Sequence, residues 1–250
     1  MKVKYISHSG FFVELEKSSF LFDYYKGDIP KFSTDKHTYV YASHKHSDHF
    51  SKKTFDFVDI HPNITYILSY DIAEEISPDV LEKFKDNLFF IKPSEEKHFL
   101  NGKLLSNISK SNIPNLVKVK ALDSTDAGVA FLVKCENKSF FHAGDLNWWT
   151  WEGESKKEYK DMTERFHREV AKLSKIPIDI AFLPLDPRQG ERFYWGFDYF
   201  MKTCNISIVF PMHFWGDFSV IPKLKNLQVA EKYKSKVVVI EKNHQEFILK

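Results

Sequence analysis

The sequence predicts one continuous α/β domain. Short apolar runs punctuated by turn residues fill the first half of the chain, and in the second half buried-type strands alternate with helical stretches. No linker or low-complexity segment divides the 250 residues, a length that suits one large domain or two small ones. A third observation concerns placement: ligand-type and charged residues gather where predicted strands end, as they do when a sheet supports a site.

Taken in order, Lys2–Ile6, Phe11–Leu15 and Phe20–Asp23 read as strands. Ser9-Gly10 and Lys17-Ser18-Ser19 separate them closely enough to predict antiparallel neighbours. His8 lies in the first turn, where facing a site and a structural role are both open. Residues 27–36 form a loop, Tyr39–Ala42 a strand and Phe50–Val58 a helix. Tyr66–Leu68 is a strand, 71–84 is mixed, Leu88–Ile91 is a strand and 93–97 a polar turn, with Asn101-Gly102 suited to closing a hairpin. Val117–Leu122, Val129–Cys135 and Ser139–His142 are strands, the first two joined through Asp123-Ser124-Thr125-Asp126. Tyr159, Met162, Phe166, Val170 and Leu173 recur at three and four, which predicts a helix with His167 on its polar surface. Strands at Ile178–Leu183 and Ile206–Phe210 flank a helix near Phe197–Cys204. A helix over Pro222–Tyr233 and strands at Val237–Glu241 and Glu246–Leu249 complete the chain.

The densest chemistry is His44-Lys45-His46-Ser47-Asp48-His49, directly after the apolar run Tyr39–Ala42. Where a chain leaves a strand, residues two apart point the same way, so His44 and His46 can converge on one ion. Asp48 and His49 follow as a helical stretch begins, which turns them toward a neighbouring position. Imidazole with carboxylate suits zinc, iron or manganese better than calcium or magnesium. Asp145 hangs off another strand end in His142-Ala143-Gly144-Asp145, where it could bridge two ions, and His213 follows a third strand in Phe210-Pro211-Met212-His213. Trp148, Trp149 and Trp151 follow Asp145 and either pack as a lid or line a pocket. Arg188 and Arg192, two of only four arginines, follow a strand end. Their planar forks suit a phosphate or carboxylate, and ordinary ion pairing is the other reading.

Composition narrows the classes. Hydrophobic content of 43% with 28% charged residues fits a globular chain with a real core, to which most of the 24 phenylalanines should belong. A net charge of +2 gives no general electrostatic argument for nucleic acid, without excluding it. No apolar run approaches the roughly 18 residues that cross a bilayer, so no membrane role is expected. Glu14 and Glu16 interrupt the start before a signal-length apolar region develops. Cys135 and Cys204 form no paired motif, which fits a reducing cytoplasm and excludes a cysteine-based metal site.

With HSGFFVEL and LFD near the start, HKHSDH, FFHAGD and VFPMH in this order and spacing, the chain resembles the metallo-β-lactamase superfamily of metal-dependent hydrolases. The resemblance spans nearly the whole chain and implies a four-layer αββα sandwich of mixed sheets with the site at one sheet edge. It implies that His44 and His46 hold a first metal, that Asp48, His49 and His213 hold a second, and that Asp145 bridges. Zinc, as one or two ions, is the expected cofactor, with manganese or iron as alternatives. A metal-bound hydroxide, oriented by Asp48, would attack the scissile centre of a small ester, lactone or phosphodiester, an anionic substrate being favoured by Arg188. Trp148 and Trp149 would contact that substrate. One part departs from the family's pattern. The turn before the GD motif lacks the usual histidine and offers Asp126, an oxygen ligand that would favour harder ions. A nuclease of the same fold, or a non-catalytic binding protein with an incomplete first site, are the other readings.

Overall fold

Tight turns between the first strands make them neighbours, and longer connections then add strands in parallel. In the computed structural model, which describes residues 1–28, 31–106 and 113–249, β1 (Lys2–Ser7), β2 (Gly10–Glu14) and β3 (Ser18–Phe22) form the expected antiparallel meander. β4 (His37–Ala42), β5 (Ile64–Ser69) and β6 (Leu88–Ile91) are each laid parallel to the strand before. Within the 27–36 loop, residues 29 and 30 lie outside the described residues.

The second sheet begins with the hairpin of β7 (Glu96–Leu100) and β8 (Lys103–Leu104), closed by Asn101-Gly102 with both residues at positive φ. β9 (Val117–Asp123), β10 (Val129–Cys135) and β11 (Lys138–His142) continue it in antiparallel fashion. β12 (Ile178–Pro184) and β13 (Ile206–Met212) join in parallel. β14 (Glu246–Ile248) returns to the first sheet beside β1. Among the described residues both sheets have seven strands, ordered β14-β1-β2-β3-β4-β5-β6 and β13-β12-β11-β10-β9-β7-β8, and both are mixed.

Aromatic residues join the two sheets. Phe11 on β2 meets Phe182 on β12 at 4.4 Å between ring centroids, Phe20 on β3 meets Phe140 on β11 at 5.5 Å, and Tyr41 on β4 meets Phe131 on β10 at 5.1 Å. All six rings are buried, and each such side chain contributes about 2 kcal/mol. On the opposite face of the first sheet, the alternate residues Phe12, Leu21, Val40 and Tyr66 pack with Phe55, Phe57 and Phe84. Burial on both faces is why these strands read as unbroken apolar runs.

Helices supply the outer layers. α1 (Pro78–Lys83) and short 3-10 turns cover the first sheet. α2 (Lys156–Ala171) and α3 (Trp195–Thr203) cover the second, where Phe200 lies 5.6 Å from Phe141 and 5.3 Å from Phe166. Ser155 and Glu158 form a capping box that starts α2. The result is the four-layer αββα arrangement. No helix among the described residues is long and apolar enough to cross a membrane.

Three local expectations change. The segment predicted as a helix over Phe50–Val58 is a 3-10 helix at Lys52–Asp59, in which Thr54 and Phe57, three apart, are both buried. The predicted Pro222–Tyr233 helix breaks into α4 (Val220–Lys225) and a 3-10 turn at Gln228–Ala230. Val237–Glu241 forms no strand, because it meets β13 through a single bridge at Val209 and a propensity for β structure needs a ladder to express it.

Strand direction sets up the site. β1, β3, β4, β9, β11, β12 and β13 all run the same way across the two facing sheets, so the residues after them emerge at one edge.

Candidate metal centre

His8 follows β1, Asp23 follows β3 and the His44–His49 segment follows β4, while Asp145, Asp186 and His213 follow β11, β12 and β13. One donor atom from each of His8, Asp48, His49 and His213 lies within 4.8 Å of the others; the same holds for His44, His49 and Asp145, and for His46, Asp126 and Asp145. The seven residues predicted as ligands, His44, His46, Asp48, His49, Asp126, Asp145 and His213, are therefore brought together at one edge, and His8 joins them.

The donors face a common space rather than one another. Asp145 Oδ1 is 3.2 Å from His49 Nε2 and 3.3 Å from His213 Nε2, and its Oδ2 is 3.5 Å from His44 Nε2. These contacts are close but not aligned as hydrogen bonds: the Nε2 atoms of His8, His44, His49 and His213 and the Oδ1 of Asp145 are buried without a hydrogen-bond partner among the described residues. An unpaired buried polar atom costs about 1–3 kcal/mol, so five at one point demand a shared occupant. Imidazole nitrogens and carboxylate oxygens converging in this way fit a divalent metal. Cys135 and Cys204 are buried free thiols and take no part.

Two buried carboxylates hold the imidazoles from behind. Asp23 accepts from the Ser43 backbone N–H at 2.7 Å, the Ser43 hydroxyl at 2.6 Å and His49 Nδ1 at 2.7 Å. Asp186 accepts from His213 Nδ1 at 3.0 Å and Trp215 Nε1 at 3.3 Å. With the proton fixed on Nδ1, each ring turns the lone pair of Nε2 toward the centre. His142, in the predicted FFHAGD motif, instead stays behind the site, where its Nε2 donates to the Ser9 carbonyl at 2.9 Å.

The turn carrying Asp126 is held in place. Thr125 donates to the Asn147 carbonyl at 2.6 Å, and Arg165 donates to the carbonyls of Ser124 and Thr125. Gly128 has φ +66° and packs so close to β4 that a Cβ there would collide with the Ser43 carbonyl. The turn thereby brings Asp126 and His46, both exposed, to the open side of Asp145.

Electrostatics follow from this packing. Burial would raise the Asp145 carboxyl, but His49 and His213 outweigh it and hold the group well below the usual carboxylate range. Burial likewise opposes ionisation of Asp48, while His8 and His49 keep it below that range. His8 and His44 are pushed down to about 4, chiefly by burial. His49 moves the other way: burial disfavours its charge, yet Asp145 and Asp23 raise it well above the ordinary imidazole value. Burial and the neighbouring Asp145 raise Asp126. A cluster this rich in carboxylate needs positive charge at its middle, which a proton on His49 supplies in part and a divalent ion would supply better.

The predicted substrate residues divide. Trp149 lies 5.4 Å from the His213 ring, donates to the Asp145 carbonyl at 2.8 Å and stacks on the half-exposed Trp151. Trp148 corrects the expectation. It packs under α2 and α3 against Phe166, His167 and Tyr199 and donates to Thr163, because consecutive side chains in this extended loop point to opposite sides. Arg188 stacks over the exposed Trp215 at 4.4 Å and pairs with Asp186 through Nε and Nη2, and its charge reaches Asp145 and Asp48. Arg192 anchors the tryptophan loop instead, donating to the Trp151 carbonyl and Glu154. Sequence reasoning gave no role to Asp23, Asp186 or Trp215, although Asp23 ends the LFD motif; the other signal was a position soon after a strand.

Comparisons with known proteins agree with this picture. Residues 2–160 match the Beta-lactamase superfamily domain. A UPF0173 metal-dependent hydrolase of Nanoarchaeum equitans is 30% identical over 217 residues, covering 86% of this chain and 84% of the relative. Among solved structures, the metallo hydrolase Igni18 of Ignicoccus hospitalis superposes with a TM-score of 0.62 at 15% identity, covering 100% of this chain and 99% of that one. CmlA, a diiron β-hydroxylase of Streptomyces venezuelae, has the same fold over 99% of this chain and 54% of its own, with a TM-score of 0.61 and 13% identity.

Proposed function

The chain belongs to the metallo-β-lactamase superfamily as a metal-dependent hydrolase, and from that premise we propose that it hydrolyses a small anionic ester, lactone or phosphodiester. The observation that carries this reading is the pairing of the donor cluster with an arginine–tryptophan rim beside it. We assign one ion to His44, His46, Asp126 and Asp145 and a second to Asp48, His49, His213 and Asp145. Zinc suits these nitrogen–oxygen sets, and their oxygen content also admits iron or manganese. Two free buried cysteines accord with a cytoplasmic setting.

When bound, divalent ions supply Lewis acidity and lower the pKa of water. Asp48 remains ionised at neutral pH and partly open to solvent, so its carboxylate can accept a hydrogen bond from the attacking water and orient it. Asp23 and Asp186 keep the proton of His49 and His213 on Nδ1. Trp149 covers the inner wall and excludes bulk water, while the flat faces of Trp151 and Trp215 border the opening. Arg188 uses Nε and Nη2 on Asp186 and leaves Nη1 without a hydrogen bond among the described residues, which suits it to a substrate carboxylate or phosphate.

The test compares matched neutral and anionic chromogenic esters and phosphodiesters on metal-reconstituted protein. Arg188→Gln should lower kcat/KM for the anionic compounds about tenfold, equivalent to roughly 1.4 kcal/mol, and change the neutral ones far less. Equal losses on both sets would remove Arg188 from substrate recognition. Cleavage of oligonucleotides but not of the small compounds would select the nuclease reading, and stoichiometric metal without turnover the binding-protein reading.

A further inference from the structure

We propose that His8 is a ligand of the same ion as Asp48, His49 and His213, so that this ion is held by three imidazoles and one carboxylate before Asp145 is counted. The proposal rests on the two-ion assignment above and gives a ligand role to a residue of the HSGFFVEL motif that the ligand set implied by the resemblance leaves out.

Three observations converge on His8. Its Nε2 is buried and has no hydrogen-bond partner among the described residues, and a ring nitrogen of His8 lies within 4.8 Å of donor atoms of Asp48, His49 and His213. Asp48 Oδ2 is 3.3 Å away, but the contact is not aligned as a hydrogen bond. The second observation is backbone conformation. His8 and Ser9 form a two-residue turn between the paired residues Ser7 and Gly10, and His8 has φ +53° while Ser9 is not in the left-handed region. A turn with positive φ at its first central position favours glycine there, so the hairpin alone gives histidine no advantage. The third is a clamp between the two loops: the His213 N–H donates to the His8 carbonyl at 3.2 Å, and the two rings lie 4.2 Å apart. His213 is also left-handed, at φ +62°. Two strained loops are thus tied back to back with both Nε2 atoms in one space, as backbone strain is retained where function over-determines it.

The consequence is an asymmetry between the two ions. The one beside His8 is nearly enclosed by protein donors, whereas the His44–His46–Asp126 side keeps two exposed residues and access to solvent. Exchangeable positions for substrate therefore lie on the His46–Asp126 side, while the rim of Trp149, Trp215 and Arg188 borders His213 and His8.

Cobalt(II) titration of the apo protein tests this, read by visible absorption and by competition with a chelator. His8→Gly suits the turn conformation and should leave the apo protein folded by circular dichroism. It should weaken one of two cobalt equivalents by at least about tenfold and alter the ligand-field bands. His8→Asn keeps an amide able to hydrogen-bond Asp48 but too short to replace the imidazole, and it should behave like His8→Gly. Wild-type affinity and spectrum in folded His8→Gly, or their restoration by asparagine, would overturn the proposal. His213→Ala separates the two levels of failure. If it loses an equivalent while His8→Gly does not, only the His8 assignment falls; if wild type binds no cobalt through either residue, the metal assignment falls with it.

Discussion

Replacing Asp23 by asparagine changes one atom, yet it should reach the metal through His49. The carboxylate accepts three hydrogen bonds, from Ser43 N–H, Ser43 Oγ and His49 Nδ1. Asparagine can keep its oxygen on the Ser43 N–H, and the Ser43 hydroxyl can reverse to accept from the new amide. His49 has no such freedom: facing an NH2 donor, its Nδ1 must become the acceptor, which moves the ring proton to Nε2 and removes the lone pair a metal needs. Loss of such a supporting carboxylate typically costs 10–100-fold in metal affinity, about 1.4–2.7 kcal/mol. The apo protein should also lose about 1.5–3 kcal/mol, the value of a hydrogen bond to a charged group. Chelator competition measures the first quantity, urea denaturation the second, and nitrogen NMR of the imidazole reports the tautomer directly. Metal affinity within twofold of wild type, alongside a destabilised apo protein, would reduce Asp23 to a strut of the fold and refute the reasoning.

Other consequences are more local. Asp126→Asn should weaken one ion and spare the other, and Asp126→His should shift preference toward zinc, both read by metal analysis after dialysis; unchanged stoichiometry and preference would exclude Asp126 as a ligand. Gly128→Ala should destabilise the protein by about 1–3 kcal/mol through positive φ and collision with the Ser43 carbonyl, and a change below roughly 0.5 kcal/mol in denaturation would show that the turn yields easily. His37, remote from the site and bonded to Thr65 at 2.9 Å, is pushed down to about 4, mainly by burial. Its folded value lies below its unfolded one, so the unfolded chain binds the extra proton. Stability is unaffected above pH 6.5 and falls by at most about 3 kcal/mol as pH drops toward 4. Denaturation of His37→Gln should show a shallower acid slope over that window, and an identical slope would exonerate His37.

How much of this was legible beforehand depended on range. HKHSDH announced itself because its ligand types are adjacent in the chain and a strand end can aim residues two apart at one point. Asp145 and His213 were readable by position after strands, and the apolar runs identified most strands because both faces of the first sheet are buried. Strand polarity was less accessible. The antiparallel start followed from short turns, but the parallel placement of β4 beside β3 and of β12 beside β11 depends on crossovers that a local pattern does not encode.

The tryptophans and aspartates mark the boundary most clearly. Trp148 and Trp149 are chemically identical neighbours, and only packing sends one under α2 and α3 and the other against His213. Asp23 and Asp186 look like ordinary turn carboxylates, 26 and 27 positions from the histidines they hold. His8 stands 205 positions before His213, whose backbone N–H its carbonyl accepts. The sequence by itself determined the donor types and the strand ends that carry them. The tertiary structure decided which donors share a point in space, because that depends on two sheets facing each other with the donor-bearing strands aligned in one direction. Burial at that meeting point lowers His8 and His44, whereas the carboxylates of Asp145 and Asp23, distant in the chain, outweigh it at His49 and raise that imidazole.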